Sequence, residues 1–170
     1  VARAGVRNNL AKVLTERGDH DAALLHLAQA RRGFERGGEP RGLAMTIHNE
    51  GLVLELQGDT DRAVARLRDA IELYDSAGHP HGAVEARAQL GHLLARVGDA
   101  EVALDLLRRA HHDAEMLGLA RECCRAAESI AQLFEQRGDD AEALTWLRHV
   151  LQVERRSHDD ASEQRLRTLQ

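Results

Sequence analysis

Arg17-Gly18-Asp19 returns as Gln57-Gly58-Asp59, as Val97-Gly98-Asp99 and as Arg137-Gly138-Asp139, each copy 40 residues after the last and without drift. A fixed period of this length is the mark of a repeat architecture. The surroundings of each Gly-Asp repeat as well. Seven residues before the Gly stands a small residue (Ala11, Gly51, Gly91, Ala131), and four before it a large apolar one (Leu14, Leu54, Leu94, Phe134). Five after it stands Ala23, Ala63, Ala103, Ala143; nine after it Leu27, Leu67, Leu107, Leu147; twelve after it Ala30, Ala70, Ala110 and, departing, Val150.

Apolar residues at three- and four-residue intervals on both sides of the Gly-Asp predict a helix, a tight turn and a second helix in every unit. Gly supplies the left-handed backbone that ends the first helix, and Asp offers an acceptor to the amides opening the second. Asp139 and Glu142 have the spacing of a capping box. Between units the chain breaks again at Gly37-Gly38-Glu39-Pro40, Ala77-Gly78-His79-Pro80 and Leu117-Gly118. The fourth unit has His158 where that Gly would stand, so a helix is expected to run on beyond the array. Ser162, Leu166 and Leu169 have the spacing of a short coiled-coil seam on it. The predicted fold is all-α: a right-handed α-solenoid of four antiparallel helical hairpins (about 1–38, 39–78, 79–118 and 119–157), followed by an outgoing helix or linker over 158–170.

Composition agrees. Of the 170 residues 43% are hydrophobic and 30% charged, which suits a chain with a packed core. Only Phe34, Tyr74, Phe134 and Trp146 are aromatic, so base-stacking nucleic-acid modules are disfavoured. The 23 basic and 28 acidic residues are spread over both halves, leaving no basic field for a phosphate backbone. No apolar run reaches membrane-spanning length, and Val1-Ala2-Arg3-Ala4 has neither Met nor a signal peptide's apolar stretch. A fragment of a larger cytoplasmic protein is expected. Cys123 and Cys124 are adjacent, where a mutual disulfide would be strained, and are read as reduced. The Arg bias, with Lys12 the only lysine, is read as the codon usage of a bacterial genome.

The succession small, large, Gly, Ala, Leu, Ala at these offsets resembles the tetratricopeptide repeat over residues 3 to about 157. The period is 40 instead of 34, and the family's first-helix Trp position holds Arg7, Ile47, Arg87 and Ala127. HEAT and armadillo arrays have comparable periods but do not account for the Gly-Asp or the alanine ladder. The resemblance implies a groove lined by first helices in which a protein or peptide binds. There an Asn nine residues before the Gly would hydrogen-bond a peptide backbone; that position holds Asn9, Asn49, Gln89 and Ser129. Helical spacing adds Lys12, Leu52 and His92, then Asn8 and His48, then Glu16 and Arg96 to the same face. The candidate binding residues are therefore Asn9, Lys12, His48, Asn49, Leu52, Gln89, His92 and Arg96.

Phosphate-loop, nucleophile-elbow and zinc-protease motifs are absent from the sequence, so no catalytic residue and no cofactor are expected. His111-His112 with Glu115, and His79 with His81, are spaced as ligand pairs, yet no third ligand is evident and no metal is expected. His48 and His92 suggest a pH-dependent contact. Trp146 is expected to pack. The long period resembles arrays in bacterial regulators, beside diguanylate cyclase, histidine kinase or DNA-binding output domains. That implies an interaction or sensory module; the alternative is an assembly element that homodimerises through its C-terminal helix.

Overall fold

The computed structural model describes residues 1–168, and side chains as far as His158. Among the described residues there are eight α-helices and no strand: α1 (Ala2–Glu16), α2 (His20–Gly37), α3 (Pro40–Leu56), α4 (Thr60–Ser76), α5 (Pro80–Val97), α6 (Ala100–Met116), α7 (Ala120–Gln136) and α8 (Asp140–Thr168). The proposed seam residues Ser162, Leu166 and Leu169 lie outside the residues whose side chains are described.

Helix ends follow a finer period than the repeat. A glycine at positive φ stands every 20 residues from Gly18 to Gly138, with φ between +62° at Gly78 and +92° at Gly98. At each, the residue after the Gly donates its N–H to a carbonyl five residues back, as Asp19 does to Leu14 (2.9 Å) and Leu119 to Ala114 (2.8 Å). This is the Schellman closure, and it needs a residue without a Cβ penalty at left-handed φ. The large residue four before each Gly-Asp is thus also the one whose carbonyl closes the turn. With His158 at the eighth position, α8 continues to Thr168.

The Asp residues cap unevenly. Asp59 accepts from the Arg62 N–H and Asp139 from the Glu142 N–H, each at 3.3 Å, whereas Asp19 and Asp99 make no such bond. The amide of Asp139 goes to the Phe134 carbonyl, so only half of the expected capping box forms. His79 is an unforeseen cap: its Nδ1 accepts from the Gly82 N–H at 3.1 Å.

Packing uses the repeated small residues. Leu27, Leu67 and Leu107 and the alanines of both ladders in the first three units are fully buried. A Cβ on Gly91 would lie 2.7 Å from Leu107 Cγ, and one on Gly51 would lie 3.0 Å from Leu67 Cγ, so within the second and third hairpins the first helix presses its smallest position onto the second helix's Leu. Between units a second device operates. Phe34 sits on Gly42 and Tyr74 on Gly82, where a Cβ would fall 2.4 Å from the ring in each case. Each ring fills the space over the first turn of the next helix.

Consecutive helices pack throughout, and first helices also touch the first helices of neighbouring units (α1 with α3, α3 with α5, α5 with α7). The backbones of consecutive second helices stay farther apart among the described residues, and α6 and α8 meet through side chains, His111 against Trp146 and His149. First helices therefore line the inner side of the stack, second helices the outer.

Candidate binding groove

Two small cavities open on the first-helix side. One, about 160 Å³, lies between α1 and α3 against Lys12, Glu16, Asn49 and Leu52. The other, about 170 Å³, lies between α5 and α7 against His92, Arg96, Ser129 and Gln132. Between them Glu55 of α3 holds α5 by two bonds, accepting from Gln89 Nε2 at 2.5 Å and from Arg96 Nη1 at 2.7 Å. Six of the eight predicted residues thus fall into three sets: Lys12, Asn49 and Leu52 at the first cavity, His92 and Arg96 at the second, Gln89 at the Glu55 junction with Arg96.

The polar ladder is already engaged. Asn49 donates to Asn8, and His92 Nε2 pairs with Ser129 Oγ at 2.5 Å. Each ladder residue of units two to four meets the preceding unit, and Asn9, in the first unit, is exposed. Asn8 is buried, a role spacing alone did not reveal.

His48 lies beneath the groove: it is 8% exposed and meets Tyr74 edge-on, with ring centroids 6.1 Å apart. Burial, with Lys12 adding to it, pushes its pKa down to about 4. His92 is also held below its ordinary value, by burial and by Arg125 and Arg96 against the opposing pull of Glu55. Both imidazoles are therefore neutral at physiological pH.

Charge is balanced across the rest of the stack. Glu50, buried, stands between Arg31 (3.5 Å) and Arg66 (3.2 Å); desolvation raises its pKa more than the two guanidinium groups lower it. Arg87, at the family's Trp position, bridges Asp75 of α4 and Asp113 of α6 at 2.6 and 2.9 Å. An ion-pair clamp between flanking second helices takes the place of an aromatic there.

Of the metal pairs considered from sequence, His79 caps α5 through its Nδ1. His111 has partners that spacing did not show, Cys123 and His149, from two other helices. The signal for them lay in helix faces: Cys123 occupies the position of buried Ala83, and His149 sits beside Trp146 and Val150 on the inward side of α8. Trp146 packs against the main core cluster, as expected. Both cysteines are free thiols, and burial drives that of Cys123 up to about 11.

Paired antiparallel helices stacked in register, with their first helices inside, define a helical-repeat solenoid built to present one continuous inner surface. The tetratricopeptide repeat model matches residues 3–76 and 42–116. The chain belongs to the tetratricopeptide repeat family. No curated protein sequence matches it. Among solved structures it is similar to BtubC (BKLC) from P. vanneervenii, with a TM-score of 0.81 at 15% identity over 91% of this chain and 64% of that one. It is also similar to the Rap conjugation gene regulator of the plasmid pLS20, solved in complex with the Phr* peptide (TM-score 0.78, 19% identity, 93% of this chain and 43% of that). MamA is a third (TM-score 0.59, 17% identity, 88% of this chain and 96% of that). At these identities the likeness is one of fold, and the chain spans under two thirds of the first two. No described helix is long and apolar enough to cross a membrane.

Proposed function

We propose that the chain is the protein- or peptide-binding module of a larger bacterial regulator, cytoplasmic, with no chemistry of its own and with its ligand on the first-helix face. The observation that carries this is the pair of cavities at the α1–α3 and α5–α7 seams, each with an apolar floor and a charged rim: Leu52 and Val53 with Lys12 and Glu16, and Leu133 with Arg96, itself paired to Glu55. An extended segment laid along the inner face meets both. The Rap regulator, of the same fold, was solved with a peptide. Because Asn49, Gln89, His92 and Arg96 already bond a neighbouring unit, recognition would draw first on Lys12 and Leu52, with Asn9 at the open end, and at the second cavity would compete with the bonds of His92 and Arg96.

Panning a displayed random-peptide library against the purified chain tests this. Binders should appear and should be lost in Lys12→Glu/Leu52→Asp, at the first cavity, with helicity unchanged. A library without binders, or binders indifferent to the double variant, contradicts the reading.

A second reading, assembly through α8, is favoured by Leu144, Leu147 and Leu151, which are exposed at helical spacing on its outward side. It predicts a dimer that Leu147→Glu/Leu151→Glu converts to a monomer in light scattering. A monomeric parent removes it.

A further inference from the structure

Three helices bring one metal-ligating side chain each to a single point. His111 of α6, Cys123 of α7 and His149 of α8 have donor atoms within 4.8 Å of one another. The two imidazole centroids are 4.8 Å apart, inclined at 59°, and Trp146 stands edge-on to His111 at 5.1 Å. His111 and Cys123 are buried and His149 is half-buried. Nε2 of both histidines is shielded from solvent and has no hydrogen-bond partner.

Two orphaned ring nitrogens beside a buried sulfur are an unexplained expense for a core, since a shielded polar atom without a partner loses its hydration for nothing. Packing alone does not require them: the positions equivalent to Cys123 in the second and third units are Leu43 and Ala83, and the one equivalent to His111 in the second is Ile71, the first unit having Arg3 and Arg31 there. On α6 and α7 the sequence departs from apolar residues of the second and third units, and both departures meet His149 of α8, whose equivalents Gln29, Asp69 and Arg109 are polar.

We propose that His111, Cys123 and His149 form a zinc(II) site of two imidazoles and one thiolate, with the fourth position open to water. Zinc takes this donor set tetrahedrally, and a thiolate excludes hard cations such as magnesium and calcium. Ligand atoms around such an ion lie about 3.3–3.6 Å apart for bonds of ~2.0 Å to nitrogen and ~2.3 Å to sulfur, so side-chain rotations of about 1 Å close the site. On binding, the Cys123 S–H proton passes to solvent and a Zn–S bond forms, with no redox change. The ion would pin α8 to α6 and α7, and so the last hairpin to the third, below the point where α8 passes the missing turn at His158. The site stands independently of the groove reading.

Cobalt(II) titration of the purified apo-protein is the test. One equivalent should give a thiolate-to-cobalt charge-transfer band with tetrahedral d–d absorption, both bleached by zinc. Cys123→Ser should abolish the charge-transfer band, and Cys124→Ser should leave it intact. His149→Gln, at a half-buried position, should weaken zinc binding by more than about 100-fold, beyond the loss typical of supporting partners. It should keep the parent's circular dichroism and lose the rise in melting temperature that zinc gives the parent. In case Cys123→Ser does not fold, a thiol titration of the parent should show zinc protecting one cysteine of the two. A folded parent that takes up no tetrahedral cobalt, a band that survives Cys123→Ser, or one lost in Cys124→Ser overturns the proposal.

Discussion

Asn49 donates through Nδ2 to Oδ1 of Asn8, 3.0 Å away across the seam between α1 and α3. Asn8 is fully buried, so this bond satisfies an amide oxygen that water does not reach, while Asn8 Nδ2 has no partner. The same seam-crossing role falls to Gln89 and Glu55 one unit on, and to Ser129 and His92 in the next. A row of residues that resembles a peptide-reading ladder thereby also fastens the units to one another.

Removing one such fastening is expected to weaken the fold. Asn49→Leu strands Asn8 and should cost about 1–3 kcal/mol, the penalty of a buried unsatisfied amide. Asn9→Leu, at an exposed neighbour, should cost less than about 0.5 kcal/mol. Urea unfolding of the two variants separates these outcomes; equal effects would mean that the Asn8–Asn49 bond contributes nothing.

Tyr74 fills the space over Gly82. A Cβ there would lie 2.4 Å from Tyr74 Cε1, so Gly82→Ala should destabilise by about 1–3 kcal/mol through overpacking, even though alanine favours helix. Pairing it with Tyr74→Leu should restore part of the loss. A double-mutant cycle by thermal melting measures the coupling, and strict additivity would refute the contact.

Acid should loosen the second unit. His48 has its pKa lowered by burial to about 4 from an ordinary 6.5, so between those values the unfolded chain binds the proton that the folded chain refuses. Stability from this group is whole above pH 6.5 and falls as pH drops toward 4, by up to about 3 kcal/mol. His48→Leu should flatten that part of the stability–pH curve; an unchanged slope places the titration elsewhere.

Glu50 stands where the other units have Leu10, Leu90 and Ile130. Because desolvation outweighs its two arginines, Glu50→Leu should be neutral or stabilising, within about 1 kcal/mol of the parent, as buried ion pairs replaced by apolar residues commonly are. Arg31 and Arg66 are each about a third exposed and regain water. A loss above 3 kcal/mol in chemical unfolding would show the ion pair to be structural.

The backbone was the legible part. Gly at positive φ and the carbonyl five residues behind its successor are local, so Gly18 and its counterparts announce every helix end in the sequence. What is not local was harder to see. Helical spacing put His48 on the same face as Lys12, but the neighbouring helices that cover it belong to another stretch of chain. Gln89 reads as a groove amide until Glu55, 34 residues earlier, is set beside it. His111, Cys123 and His149 share neither a helix nor a spacing rule. Asp19 and Asp59 have nearly the same φ and ψ, yet only Asp59 caps; that difference lies in the side chain and leaves no trace in the repeat.

Since first helices approach closely across units and second helices meet through side chains, as His111 of α6 does with α8, the array is a row of three joints closed mainly on one side. Each joint has its own polar catch: Asn8 with Asn49, Glu55 with Gln89 and Arg96, His92 with Ser129. None reaches past the adjacent unit, so each opens without disturbing the others. A ligand that draws Glu55 away from Gln89 and Arg96 changes the bend at the middle joint alone. The solenoid then acts as a jointed lever, and where along it a ligand sits decides how far its two ends swing.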